Sequence, residues 1–533
     1  MTAIRTDLLV VGGGLGGVAA ALAALDAGRR VVLTEEYRWL GGQLTSQAVP
    51  LDEHSWIEQF GATSRYRRLR GAIRDHYRQW YPLTPAARAD ATLNPGNGLV
   101  SRMCAEPRSG VAAIDGMLAR HRSSGRLTII QPAVPVAVDV DGDRVSSVTL
   151  RRDDGGEVTV EADYVVDATE LGDLLPLAGA EYVTGFEAQS QTGEPSAPQE
   201  AQPDNQQAFS WCFTIDHVDG DHTIDRPADY DTWRAVQPEY WGAPMISLTG
   251  PDPRSLETLT RTFTPHAVRA DAIADQGKDP GDRELWTFRR ILARENLVDG
   301  AIPSDIVLVN WPMIDYLGGT LIDVDAETAE HHKAQARQQS LSMLYWLQTE
   351  APRPDGGTGY PGLRLRGDIT EGPEGLAMAP YIRESRRLLA LSTVTENDLS
   401  IAVRGDARPF TTPDSVGVGM YRIDLHPSTG GDNYLDIASV PFEIPLGILL
   451  PRRLDNLIAG GKNVGTTHIT NGAFRLHPVE WNIGEAAGAL AAFCLDRATR
   501  PRAVHTTPDL LAEFQHTLTR NGVELHWPDV RGY

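Results

Sequence analysis

From Asp7 the chain reads "DLLVVGGGLGGVAAALAALDAGRRVVLTEE", and no other stretch constrains its fold as strongly. Leu8 to Val11 is an apolar run long enough for one buried strand. Gly12, Gly14 and Gly17 follow at G-x-G-x-x-G spacing, with Leu15 and Gly16 inside the same turn. The first glycine permits a tight turn, the second lets backbone approach a pyrophosphate, and the third lets helix and strand pack closely. Val18 to Ala27 predicts a helix, and Gly28 is placed to end it. The start of that helix offers free N–H groups and partial positive charge to a phosphate. A second apolar run, Val31 to Leu33, stops just before Glu35 and Glu36. An acid there, about 20 residues past the glycines, is placed to hold ribose hydroxyls. An isolated glycine motif can be an ordinary turn. Here strand, glycines, helix, strand and acid stand in order, the context of a dinucleotide site.

The 533 residues suffice for two or three domains. A net charge of -22 argues against a nucleic-acid partner, which requires clustered basic residues. No run of 18 or more apolar residues exists, so no membrane span is expected. The early first strand leaves no room for a signal peptide. Cys104, Cys212 and Cys494 lie far apart without metal or redox spacing. Reduced thiols and a cytoplasmic location are the simplest expectation.

Farther along, residues 61–85 are rich in arginine and aromatics and predict helix, as do Val111 to Arg120. From Leu127 to Val166, alternating runs broken by "DGDR" and "DDGG" predict hairpins. Helices are expected near 326–349 and 380–391, and residues 185–206 read as a polar loop or lid. The strand "NLIAGG" and a helix opened by "NIGEAAG" return to the N-terminal style. The expected class is therefore α/β, with a discontinuous Rossmann-like domain and an inserted α+β substrate domain. Its segments are 1–60 (cofactor domain), 61–95 (helical insertion), 96–180 (cofactor domain with a β-meander), 181–415 (substrate cap), 416–505 (C-terminal cofactor segment) and 506–533 (tail).

Three segments favour FAD over NAD: "GGQ" at 41–43, "VVDATELGD", and "NLIAGGKNVGTTHITNGAFRLHPVEWNIGEAAGALAAF". Together they resemble the FAD-dependent oxidoreductases of glutathione-reductase-like topology, along most of the chain. The resemblance implies an FAD enzyme. It places Gly42, Gln43, Val134, Ala168, Thr169, Gly461, Asn463, Asn482 and Ile483 with the glycine turn and Glu35 around the cofactor. Leu44 and Val49 stand where the disulfide reductases carry cysteines, so no redox disulfide shuttles electrons. No second nucleotide motif of this kind appears.

Catalysis on a flavin requires stabilisation of the anionic reduced ring and a group to take the substrate proton. The helix start at Asn482 and Ile483 fits the first role. "THITNGAFRLHPVEW" supplies candidates for the second: His477 as base, Arg475 as clamp for an acidic substrate group, and His468 next. Each of these has a structural alternative, and Glu480 is expected either at solvent or paired with Arg475. In "SQAVPLDEHSW", Gln43's neighbour Gln47 is favoured over His54 as a flavin contact. "DVDGDR" lacks the final glutamate of a calcium loop, and no metal site is expected. The polar residues of "NWPMIDY" at 310–316 are placed as candidate cavity lining. The expected function is a dehydrogenase or oxidase passing hydride from a small polar molecule to flavin, with oxygen or another acceptor reoxidising it. A flavin monooxygenase and a non-catalytic flavin-binding subunit are the alternatives.

Overall fold

The computed structural model describes residues 3–267 and 283–533. Its organising element is β1 (Ile4–Val11), which lies between β2 (Val31–Thr34) and β6 (Glu157–Asp167) and runs parallel to both. Beyond β2 comes β3 (Leu127–Ile130), also parallel. The near half of β6 continues an antiparallel meander with β4 (Ala133–Asp141) and β5 (Arg144–Arg152). Its far half takes β7 (Leu457–Ala459) as a parallel neighbour, with Leu457 opposite Val165. Chain segments from both ends thus build one sheet, as the sequence predicts. Both hairpin turns fall where "DGDR" and "DDGG" mark them.

Helix α1 (Leu15–Asp26) follows β1 and is buried on every side from Leu15 to Leu25. Its hydrophobic surround is α2 (His477–Arg497) as well as the sheet. Small residues make that contact possible. A Cβ on Gly484 would lie 1.9 Å from the Gly16 carbonyl oxygen, and one on Gly488 would lie 2.0 Å from that of Ala20. The two helices therefore touch backbone to backbone.

The inserted region carries an antiparallel sheet in the order Arg290–Leu292, Ile306–Val309, Phe213–His217, Leu363–Leu365. Ala326–Thr349 forms the predicted long helix, capped by the Asp325 carboxylate on the Thr328 N–H. Residues 380–391 depart from prediction. They are irregular, with only Arg387–Leu388 in a strand against Tyr182–Val183. Arg383, Arg386 and Arg387 each pair with a different segment, through Asp315, Asp173 and Glu187. A helix would not send neighbouring side chains to three partners, so tertiary contacts override propensity.

The helical insertion appears as Ser64–Trp80, capped by Thr63 and packed on Pro107–Ser123. Residues 506–533, expected as a tail, fold back instead. Trp527 and Tyr533 pack edge-on against Trp56, and Glu524 pairs with Arg67 at 2.6 Å. Among the described residues, no helix is long and apolar enough to cross a membrane, and no cluster of three or more acids, histidines or cysteines could hold a metal.

Candidate cofactor and active site

The glycine turn shows which glycines the fold needs and which face a ligand. Gly12 has φ +95°, and a Cβ there would lie 2.2 Å from the Ala168 carbonyl oxygen. A Cβ on Gly17 would lie 1.9 Å from the Gly12 oxygen, and one on Gly16 would lie 2.0 Å from that of Gly460. These three are fixed by backbone packing. Gly14 differs: its Cβ would meet only carboxylate oxygens, of Glu170 at 3.0 Å and Glu480 at 3.2 Å. Gly42, at φ +49°, faces the same Glu170 oxygen at 2.6 Å. Gly14 and Gly42 therefore border one polar groove.

At the end of β2, Glu35 is buried. Its carboxylate accepts the Gly13 N–H at 2.8 Å and the Tyr37 N–H at 2.9 Å. Burial pushes its pKa up to about 8. Glu36 points to solvent. The Glu35 carbonyl accepts the Ala133 N–H at 2.8 Å, which brings Val134 beside this acid.

The opposite wall comes from the C-terminal segment. Ala168 donates to Val11 at 2.8 Å, and the Thr169 hydroxyl donates to Asp167 at 2.7 Å. Burial raises Asp167 to about 7. Asn463 ties the loop down, accepting from the Gly461 N–H at 3.2 Å and donating to the Asp167 carbonyl at 3.0 Å. Lys462 pairs with Glu170, and Gln43 donates to the Arg475 carbonyl at 2.8 Å and to the Glu480 carboxylate. Glu480 is buried and accepts the Gly16 N–H at 3.2 Å. It is neither solvated nor paired with the Arg475 side chain.

Three expectations about this segment need correction. First, α2 starts at His477, so Asn482 and Ile483 lie inside it rather than at its N-terminus. Pro478 marks the first turn, where its missing N–H costs nothing. No side chain caps that turn, and Asn482 instead donates to the Val416 carbonyl at 3.2 Å. Second, His477 is not a neutral-pH base. Its Nδ1 accepts the Asp52 N–H at 3.0 Å, and burial lowers its pKa to about 3. Third, Arg475 is committed to Asp424 and to the Tyr381 hydroxyl, each at 2.9 Å, so it offers no free charge to an anionic substrate. His468 is buried with Nδ1 2.9 Å from Glu384.

His477, at about 3, and His54, lowered by burial to about 4, both sit below the usual 6.5. The unfolded chain binds their protons first, so the stability they allow is full above about pH 6.5 and is lost as pH falls toward their folded values. His477→Asn retains an acceptor near Nδ1 and removes one titration. It is expected to flatten the acid limb of melting temperature against pH while flavin stays bound.

The chain matches a known family along most of its length. A family model described as FAD dependent oxidoreductase matches residues 7–518. The chain belongs to this family. It is an FAD-dependent enzyme of mixed α/β fold. No curated protein matches the sequence. Solved structures resemble it distantly. The geranylgeranyl bacteriochlorophyll reductase-like protein of Thermoplasma acidophilum is 10% identical, with TM-score 0.33, over 98% of this chain and 86% of that one. The p-nitrophenol 4-monooxygenase PnpA of Pseudomonas putida is 13% identical, with TM-score 0.35, over 98% and 89%. The myxobacterial chondrochloren halogenase CndH is 18% identical, with TM-score 0.21, over 40% and 43%, so this chain spans under half of that protein's length.

The residues present fit FAD. Gln43 Oε1, Glu170 Oε1, Asn471 Oδ1 and His477 Nε2 are buried around the Gly14–Gly42 groove and the loop after β7, without a hydrogen-bond partner among the described residues. Buried polar atoms are rarely left unpaired, so this set marks a polar ligand. Sequence reasoning missed Glu170 and the placement of Glu480. It also missed His426, whose Nδ1 lies beside Asp315, one of the polar residues of "NWPMIDY" expected to line a cavity. The histidine has no motif around it, and only the cap's folding brings its partners together.

Proposed function

We propose that this chain is an FAD-dependent dehydrogenase or oxidase that removes hydride from a small polar molecule. The observation that supports it is the set of buried polar atoms of Gln43, Glu170, Asn471 and His477 that have no hydrogen-bond partner among the described residues, beside the glycine turn and the loop after β7. When bound, FAD supplies the hydride acceptor. The chain's own groups do the rest. Gly12, Gly16 and Gly17 shape the turn, and Glu35 takes the adenosine ribose. The uncapped first turn of α2 presents N–H groups and positive potential where negative charge develops on the ring. His477, neutral with Nδ1 occupied by the Asp52 N–H, carries its proton on Nε2 and donates a hydrogen bond there. The buried setting strengthens each of these interactions by excluding water.

Anaerobic mixing with a panel of small alcohols, amines and carboxylic acids tests this reading. A member of the panel should bleach the oxidised flavin band without any reductant. Flavin that resists every member, yet forms a long-lived oxygen adduct after chemical reduction, would replace this reading with a monooxygenase.

Above about pH 8, where Glu35 is ionised, Glu35→Ala is expected to remove one or two charge-assisted hydrogen bonds to ribose, each about 1.5–3 kcal/mol. FAD should then bind roughly 10-fold to 100-fold more weakly per bond lost. Titration of apoprotein by flavin fluorescence measures this, and an unchanged affinity would remove Glu35 from the site.

A further inference from the structure

Between the cap and the C-terminal segment lies a cavity of about 240 Å³, lined in part by Phe186, His426, His468, Asp432 and Tyr434. Its two histidines are held in the same way. His426 Nδ1 is 2.5 Å from Asp315, a buried acid that Arg383 clamps at 2.9 Å and the Ser210 hydroxyl reaches at 2.6 Å. His468 Nδ1 is 2.9 Å from Glu384, another buried acid, which Arg387 clamps at 2.5 Å. A carboxylate on Nδ1 fixes the tautomer with the proton on that nitrogen and leaves Nε2 as an acceptor. Burial and the charge of Arg383 lower the pKa of His426, so the neutral, accepting form prevails near neutrality. The Tyr434 hydroxyl is buried at the same cavity and has no hydrogen-bond partner among the described residues.

A chain of contacts links the wall of the cavity to Gln43 at the cofactor-binding turn. Gln43 donates to the Arg475 carbonyl, Arg475 pairs with Asp424, and Asp424 lies 3.9 Å from His426 Nε2. Its charges select a ligand class. Arg383, Arg387 and Arg475 are all spent on carboxylates, while Asp432 remains at the wall with only hydroxyl and amide donors. Among the described residues that line the cavity there is no arginine or lysine to meet an anion. A donor group would find the His426 imidazole as an acceptor.

We propose that this cavity is the substrate site, that it takes an uncharged or cationic alcohol or amine, and that His426 accepts the substrate proton. This rests on the hydride-transfer reading above. In the step, the substrate C–H bond breaks and its electron pair leaves as hydride to oxidised flavin. The O–H or N–H bond breaks, its proton goes to His426 Nε2, and the C=O or C=N bond forms. Asp315 then faces an imidazolium, and it is already ionised to receive one. Burial opposes that ionisation, but Arg383 holds its carboxyl below the usual range.

Alkylation by a small epoxide tests the site without knowledge of the substrate. Glycidol is neutral and carries a hydroxyl. Its ring opens when an imidazole nitrogen attacks carbon, and the released oxygen takes a proton. With holoenzyme, glycidol should label His426 several-fold faster than the exposed His331 and His516, as read by peptide mass spectrometry. Anionic glycidate should show no such preference, and excess glycerol should protect His426. Asp315→Asn should slow labelling of His426 while leaving His331 and His516 unchanged. If that variant does not fold, glycerol protection and the glycidol–glycidate contrast in the wild-type protein decide alone. Labelling confined to exposed histidines, or equal labelling by glycidate, would overturn the assignment. Selective labelling combined with a flavin that no alcohol or amine reduces would instead retain the cavity and remove the hydride reading.

Discussion

A Gly17→Val protein is expected to yield little folded chain and no bound FAD. The Cβ alone would stand 1.9 Å from the Gly12 carbonyl oxygen and 3.3 Å from the Ala168 side chain. Neither neighbour can retreat. Gly12 is held at φ +95° against Ala168, and Ala168 is hydrogen-bonded to Val11 inside the parallel sheet. Relief would require α1 to separate from β1, and α1 also touches α2 through Gly16 and Gly484. The destabilisation should therefore exceed about 4 kcal/mol, the range reserved for severe overpacking and backbone strain. Gly14→Ala provides the contrast. Its Cβ meets only the movable carboxylate ends of Glu170 and Glu480, so the chain should fold with a near-normal melting temperature. Its loss should appear in flavin content, because the added methyl stands in the groove. Thermal unfolding and flavin absorbance per chain separate the two outcomes. A Gly17→Val protein with full flavin would show that the turn does not close as described.

The difference between these glycines also marks what the sequence can disclose. The motif identifies Gly12, Gly14 and Gly17 because strand, turn and helix are adjacent in the chain, so spacing alone carries the geometry. Gly16 belongs to no position of that motif. Its partner, Gly460, comes from the last strand of the sheet, and only the closed fold brings them together. The start of α2 was hidden for a local reason. "RLHPVEW" contains a proline that ordinarily argues for a loop, yet at the first turn of a helix proline is tolerated. At 380–391 the failure is the reverse. Arginine and leucine favour helix, but ion pairs to Asp315, Asp173 and Glu187 pull the segment straight. Of these arginines, Arg383 clamps the acid behind His426 and Arg387 the acid behind His468, so the part of the fold least legible in the sequence is the part that builds the substrate cavity.

Glu480→Gln is expected to make FAD binding tighter at alkaline pH and less dependent on pH. The Glu480 carboxylate accepts the Gly16 N–H and approaches Gly14, where the turn must receive a pyrophosphate. A second acid, Glu170, faces the same glycine, and Lys462 is the nearby cation. Burial raises the pKa of Glu480. Lys462 opposes that rise and Glu170 adds to it. An anionic ligand beside this acid pushes its pKa further up, so binding FAD takes up a proton. Affinity should consequently increase as pH falls through the range where Glu480 titrates. Glutamine retains an oxygen for the Gly16 N–H and loses the charge. One unit of pKa coupling corresponds to about 1.4 kcal/mol, or roughly 10-fold in dissociation constant, and a gain of that order is expected on the alkaline side of the Glu480 titration. Glu35 works with the opposite sign, since its ionised form accepts the ribose hydroxyls, so the decisive quantity is the difference between the variant and wild-type curves. Fluorescence titration of apoprotein across the pH range gives both. Parallel curves would mean that Glu480 stays equally charged with and without FAD, and that its contact with Gly16 only braces the turn.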